Sequence, residues 1–145
     1  MTFNTIDEVK IIELNTINSK NASLFVFENT DNYFEIKRIF TVKRHNEEDY
    51  QRGRHAHKRD QQIVTCPHGS IKFLVSDGKT QKSFILDSPK NAIYVPCYIW
   101  TETDYLENDT IVTVYSSHPF DESSYIREYD EFLALVNSQG ESNSS

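Results

Sequence analysis

Cysteine is nearly missing from this chain. Cys66 and Cys97 are the 2 present among 145 residues, too far apart for a C-x-x-C pair and without cysteine neighbours for a zinc site. Two such isolated thiols are expected to stay reduced and buried, with no role in catalysis. Positive charge is scarce as well: 15 Lys and Arg stand against 22 Asp and Glu, a net charge of −7. General affinity for nucleic acid or for an anionic membrane needs a basic surface, and this balance argues against both. Long hydrophobic runs are absent too. The first ten residues have neither a charged leader nor an apolar h-region, and no later segment approaches the length of a membrane span. The expectation is a cytoplasmic protein with no nucleic-acid or membrane partner. No internal repeat is visible.

Aromatic residues, by contrast, are plentiful, with 9 Phe, 8 Tyr and 1 Trp. Aromatic and β-branched side chains favour strands. The length suits one domain, and residues 1–136 are read as that domain, with 137–145 as a polar, disordered tail that has nothing to bury. Short alternating or apolar segments separated by Asn, Asp, Gly, Ser and Pro predict an all-β sandwich or barrel. The expected strands are Val9–Leu14, Ser23–Glu28, Phe34–Val42, Gly53–Lys58, Gln62–Cys66, Ser70–Ser76, Lys82–Leu86, Ala92–Val95 and Thr110–Ser116. From Tyr125 the spacing of Ile126, Tyr129, Leu133 and Val136 is helical, behind a Ser123-Ser124 cap, and predicts one C-terminal helix.

Two features do not fit a plain barrel. In Phe34–Val42 the alternation puts Arg38 on the same face as Phe34, Ile36, Phe40 and Val42. An inward arginine needs an anion, either a carboxylate from a neighbouring strand or a bound phosphate or carboxylate that its guanidinium fork suits. The second feature is Arg52-Gly53-Arg54-His55-Ala56-His57-Lys58, the densest basic cluster in an acidic chain. His55 and His57, two apart, share one face of an extended strand, where a pair can bind a metal, supply acid–base groups, or simply be structural. By the same parity Arg54 and Lys58 face away as surface charges, while Arg52, at the strand entry, is free to turn inward and with Arg38 form an anion site able to hold a diphosphate.

Ligand count bears on the metal alternative. A small-barrel metal site usually adds a carboxylate a few residues after H-x-H and another histidine on a later strand. Here Gln62 stands five positions beyond His57, and the segment from Ala92 to Thr101 has no histidine. These absences argue for acid–base chemistry without metal or other cofactor.

The run from Arg52 to Lys58 with Gln62, then Gly69-Ser70, Asp77-Gly78, Tyr94-Val95-Pro96 and Trp100, resembles the dTDP-4-keto-6-deoxyhexose 3,4-ketoisomerase family of cupins. The ending from Phe120 to Phe132 looks like that family's Y-D-E-x-D-Y-I-R-x-Y-D-x-F, and the likeness extends over roughly residues 8–135. The resemblance implies a metal-free cupin-type double-stranded β-helix, a jelly-roll barrel with one short C-terminal helix, and a homodimer that exchanges N-terminal strands. It implies a dTDP-linked 4-keto-6-deoxyhexose as substrate, whose ketone moves from C4 to C3 through an enediol in the biosynthesis of a dTDP-3-amino-3,6-dideoxyhexose for bacterial surface polysaccharide. Matched residue by residue, His57 takes the place of the family's base and His55 of its supporting histidine. Arg52 and Arg38 fall to the diphosphate or the developing oxyanion, and Gln62, Trp100, Asn21 and Thr101 to the surroundings of the substrate.

Three positions depart from the family pattern. Phe40 stands where a tyrosine is common, Asn21 replaces an arginine of the first hairpin, and Thr101 replaces a histidine after the barrel Trp. Rival readings are a nucleotide-sugar-binding cupin without catalysis, a nucleotide-sugar 3,5-epimerase, and a metal-dependent cupin such as a dioxygenase.

Overall fold

The computed structural model describes residues 3–28, 32–45 and 51–143, with the side chains of residues 51, 52 and 139–143 excepted. The run of turn-forming residues Asn29-Thr30-Asp31-Asn32 between two of the expected strands lies almost wholly outside this range. The alternating segments form twelve strands among the described residues: β1 (Lys10–Glu13), β2 (Asn15–Asn18), β3 (Ser23–Val26), β4 (Arg38–Lys43), β5 (Gln51–His57), β6 (Gln62–His68), β7 (Ile71–Ser76), β8 (Gln81–Leu86), β9 (Asn91–Val95), β10 (Trp100–Tyr105), β11 (Ile111–Ser116) and β12 (Tyr125–Ile126). One five-stranded sheet has the order β1-β9-β6-β11-β4 and the other β12-β5-β10-β7-β8, while β2 and β3 form a separate hairpin. Within the two large sheets, chain neighbours mostly alternate between sheets, which is the jelly-roll winding of a double-stranded β-helix.

Period-2 patterning makes this roll. In β7, Ile71, Phe73 and Val75 are buried while Lys72 is exposed; in β11, Val112, Val114 and Ser116 are buried. The apolar members of this set, together with Val64, Cys66, Leu86, Ile93, Val95 and Ile99, fill the space between the sheets. Cys66 is wholly buried, and burial pushes its thiol up to about 11, the behaviour of a structural cysteine. No helix among the described residues is long and apolar enough to cross a membrane.

Three strands were not legible in the sequence. β10 alternates Thr101, Thr103 and Tyr105 against Glu102 and Asp104, so its inward face is mostly hydroxyl and shows no apolar period. It becomes a strand because it lies between β5 and β7 and its backbone is paired on both sides. β2 is a short exposed strand held only by β3.

β12 overturns the expected helix start. A short 3-10 turn at Glu122–Ser124, capped by the Asp121 side chain, leads into Tyr125 and Ile126, which pair with His57 and Ala56. Ile126 is fully buried there, and sheet pairing wins over the local helical spacing. The α-helix, α1, begins at Tyr129 and runs to Asn143, past Val136 and through residues that composition assigned to the tail. Once Phe132 and Val136 anchor its first turns, each further residue adds a backbone hydrogen bond without needing burial.

The turn between β6 and β7 depends on Gly69. Its φ is +82°, and an added Cβ would lie 2.2 Å from Thr110 Oγ1 and 2.8 Å from Thr110 Cα. Thr110 itself is fully buried and donates to the Glu107 carbonyl at 2.8 Å, so it has no room to retreat. Gly69→Ala should therefore lower unfolding free energy by about 2–3 kcal/mol, from left-handed strain plus overpacking, read as a shift of the urea midpoint. An unchanged midpoint would show that the turn relaxes.

Candidate functional site

The basic cluster forms β5, between β12 and β10 in the second sheet. Gly53, at φ +72°, sits where the pairing with β10 slips between Thr101 and Thr103, a bulge that re-aims the strand just before the histidines. Beyond it His55 and His57 do share a face, their ring centroids 4.5 Å apart and nearly perpendicular at 79°. Arg54 points the other way and forks onto Glu102 at 3.2 and 3.0 Å, as parity requires.

The two imidazoles meet different environments. His55 lines a cavity of about 350 Å³ inside the barrel, with Phe40, Gln62, Phe73, Thr101 and Tyr105. His57 lines a second cavity of about 320 Å³, with Arg38, Asp60, His118 and Ser124. Only 7% of His57 is exposed, and neither ring nitrogen has a hydrogen-bond partner. Burial, then the positive charges of Arg38 and Arg127, lowers its pKa to about 3. A buried imidazole with both nitrogens unengaged is neutral and costly unless something is meant to meet it.

Arg38 stands on the inward face of β4 as the alternation requires. Its anion is the buried Asp60 carboxylate, with Nη2 to Oδ2 at 3.4 Å. The guanidinium also lies 5.1 Å from the Phe40 ring centre and 5.6 Å from that of Phe120. Its Nε is buried and has no partner. The neighbouring-carboxylate alternative is thus realised, yet one donor of Arg38 remains unpartnered beside the cavity that His57 also lines.

Asp60 escaped the sequence reading because one acidic residue among 22 carries no pattern. The signal available was the demand of an inward arginine for a nearby carboxylate. Besides Arg38, Asp60 accepts from Gln62 Nε2 at 3.0 Å, Ser117 Oγ at 3.2 Å and the His118 backbone N–H at 3.1 Å. Tyr125 also went unrecognised, because its spacing read as the start of a helix. Its ring lies 4.5 Å from His57 and 5.0 Å from His55, and Arg127 stacks 4.4 Å above it.

The other expected contacts divide. Gln62 and Thr101 line the barrel cavity; the Thr101 hydroxyl, however, is engaged with the carbonyls of Gly53 at 3.1 Å and His55 at 3.3 Å. Trp100 faces the opposite side of β10, buried against Tyr129 and Phe132 beneath α1, with its indole N–H on Glu102 at 3.0 Å. It lines neither cavity, and strand parity is the reason: Thr101 takes the inward face and its neighbour must face out. Asn21 is exposed at the tip of the β2–β3 hairpin, also outside both cavities. The Arg52 side chain lies outside the described residues. Among those residues no three His, Cys, Asp or Glu side chains group as a metal site.

A jelly-roll barrel with two facing imidazoles and a paired arginine on its inner walls is the architecture of a cupin that works on a small molecule. Residues 7–137 match the family described as FdtA: WxcM-like, C-terminal. The TDP-4-oxo-6-deoxy-alpha-D-glucose-3,4-oxoisomerase of Aneurinibacillus thermoaerophilus is 34% identical over 130 residues, 89% of this chain and 93% of that protein. A 3,4-ketoisomerase from Helicobacter canadensis superposes with a TM-score of 0.84 at 34% identity, covering 90% of this chain and 98% of the other. A mutant of the 3,4-ketoisomerase QdtA from Thermoanaerobacterium thermosaccharolyticum, in complex with TDP-4-keto-6-deoxyglucose, has a TM-score of 0.85 at 27% identity, covering 92% and 97%. The chain belongs to the FdtA family of sugar 3,4-ketoisomerases.

The state of His57 has a measurable consequence. Its pKa is 6.5 when unperturbed and about 3 in the fold. Between those values the unfolded chain binds a proton that the native chain does not, so stability falls as pH drops from 6.5 towards 3. The slope from this group is at most about 1.4 kcal/mol per pH unit. Comparing the denaturant-derived stabilities of wild type and His57→Asn across this range should show the shallower slope in the variant. Parallel slopes would mean that the ring is solvated and free to protonate.

Proposed function

We propose that the chain is a dTDP-4-keto-6-deoxy-D-glucose 3,4-ketoisomerase, with His57 as the base that removes the C3 proton and returns it at C4. The observation that carries this reading is the buried, neutral imidazole with both nitrogens unengaged, beside the Arg38 guanidinium. A neutral imidazole accepts a proton and gives it back without a second reagent. The solved relative that holds TDP-4-keto-6-deoxyglucose supports the choice of substrate.

The electrostatics suit the step. In the free protein Arg38 and Arg127 both hold the His57 pKa down. A diphosphate or an enediolate brought against these cations neutralises that field, and the imidazole gains proton affinity at the moment the C3 proton moves. Arg52 and Arg38 take the diphosphate or oxyanion, and Gln62 holds a polar edge of the barrel cavity. His55, on the barrel side of the pair, supports the enediolate. The product would feed synthesis of a dTDP-linked 3-amino-3,6-dideoxyhexose, because a ketone at C3 is what amination there requires.

Incubation with dTDP-4-keto-6-deoxyglucose in D2O should give a 3-keto product, with deuterium at C4 to the extent that the imidazolium proton exchanges with solvent before it is returned, and His57→Asn should reduce conversion by at least about 100-fold. Deuterium at C3 and C5 with the ketone still at C4 would instead mark a 3,5-epimerase. Tight binding without exchange would mark a non-catalytic module.

The working unit is a homodimer in this reading. The β2–β3 hairpin lies outside both large sheets and exposes Ile17 at 54% and Leu24 at 57%, and the edge strand β4 exposes Ile39 at 60%. A protein that buries these against a second copy, with N-terminal strands exchanged, removes an apolar surface from water. It would also carry Asn21 away from its own chain towards the partner. Sedimentation should give the mass of two chains, and Leu24→Asp with Ile17→Asp should shift it to one. A monomeric wild type at micromolar concentration would sink the dimer.

A further inference from the structure

On the ketoisomerase reading, on which this inference rests, the barrel cavity of about 350 Å³ receives the hexose. Most of its wall is apolar: Phe40, Val42, Val64, Phe73, Val112 and Val114. The few polar groups that reach such a cavity decide which sugar it accepts and in which orientation. Of these, the Thr101 hydroxyl is already taken up by the carbonyls of Gly53 and His55. Gln62, half-buried at the start of β6, is another. Its amide has a donor end and an acceptor end, and what holds the amide decides which end the cavity meets.

Both N–H groups of Gln62 are engaged. Nε2 donates to Asp60 Oδ2 at 3.0 Å and to Ser116 Oγ at 3.3 Å. Turning the amide over would set its oxygen against the Asp60 carboxylate. That side chain is only 5% exposed and already accepts from Arg38, Ser117 and the His118 backbone. Two acceptors facing each other in so poorly solvated a place are strongly disfavoured, so Asp60 fixes the orientation. Gln62 Oε1 meets no donor among the described residues, and unlike the ring nitrogens of His57 it is not sealed inside the protein. The cavity therefore meets a carbonyl oxygen that cannot turn.

A fixed acceptor suits a hydroxyl and repels a carbonyl or an oxyanion. In a 4-keto-6-deoxyhexose on a nucleoside diphosphate, O1 carries the phosphate, the ring oxygen has no proton and C6 is a methyl. O3 and O4 exchange roles in the reaction: each is a carbonyl on one side of it, and both share the charge of the enediolate between. An acceptor held against either oxygen would oppose one of these states. The C2 hydroxyl alone keeps its proton from substrate through enediolate to product.

We propose that Gln62 Oε1 accepts a hydrogen bond from the C2 hydroxyl of the hexose, with Asp60 as the positioning residue that orients the amide. The pair selects sugars that carry a hydroxyl at C2. A 2-deoxy sugar leaves the acceptor unpaired against an apolar wall, which is the larger part of the discrimination.

The test measures dissociation constants by titration calorimetry for dTDP-6-deoxyglucose, which has no ketone and cannot react, and for its 2-deoxy and 2-deoxy-2-fluoro forms. The wild type should bind the parent about 10–100-fold more tightly than either analogue. Fluorine keeps C2 polar but has no proton to give. A fluoro sugar that binds like the parent would mean that Gln62 presents its N–H, and overturns the proposal, as does equal binding of all three. Gln62→Met keeps the length of the side chain and removes the acceptor, and should cut the preference to about threefold or less. A preference that survives in this variant places the C2 contact elsewhere and also overturns the proposal. Asp60→Asn removes the partner that forbids the turn, and should lower the preference at least about threefold with Gln62 still present; an unchanged preference overturns the role of Asp60. The wild-type series stands without the variants should either fail to fold. Absence of any conversion of dTDP-4-keto-6-deoxyglucose would sink the ketoisomerase reading itself, whereas conversion without a C2 preference in binding removes this inference alone.

Discussion

Arg38 projects from β4 between the rings of Phe40 and Phe120, where a lone guanidinium would be strongly destabilising; Asp60, 3.4 Å away and itself almost wholly buried, makes the placement possible. Removing one member of such a buried pair costs about 3–5 kcal/mol, since the other is left charged and uncompensated. The same carboxylate holds Gln62 on the barrel side and the Ser117–His118 backbone on the other. One buried anion therefore sets the relative positions of a cation and an amide from two strands and the entry to the segment that carries Phe120 and Tyr125.

With that frame in place, the chemistry follows from solvation. β5 sends His55 to the barrel cavity and His57 to the adjoining one, where water and protein partners are both excluded from its nitrogens. A stable fold tolerates an unengaged imidazole only where other interactions offset it, and here the sheet pairing of β5 with both β10 and β12 does so. The result is a neutral imidazole held beside the cationic Arg38. Tyr125, brought in by two residues of strand rather than by the helix its spacing suggests, completes a cluster of three rings.

Much of this was legible in the residues. The strands β4, β7 and β11 announced themselves through alternation of their inward residues, and β6 as a short apolar run between turn residues. H-x-H in an extended segment put two imidazoles on one face, and the parity that turned Arg54 outward was visible in the same seven residues. The run R-G-x-H-A-H-K and the C-terminal ending carried the family, which the comparisons bear out. Other features were invisible for definite reasons. β10 presents threonines inward, so no hydrophobic period marks it. Trp100 looked like a substrate contact until strand parity set it under α1. Asn21 sits on a hairpin that contributes nothing to either cavity of its own chain.

The sequence by itself determined the fold class and that His55 and His57 share one face of a strand, because alternation along a strand and a short contiguous motif are local properties that one stretch of chain can specify. It also determined that Arg38 faces inward and needs an anion. Only the tertiary structure decided which anion that is, that His57 is sealed off while His55 opens on the barrel, and that Tyr125 lies against both rings. These depend on contacts among β4, β5, the Asp60 segment and β12, and burial and electrostatic field are properties of that assembly, summed over residues distant in sequence.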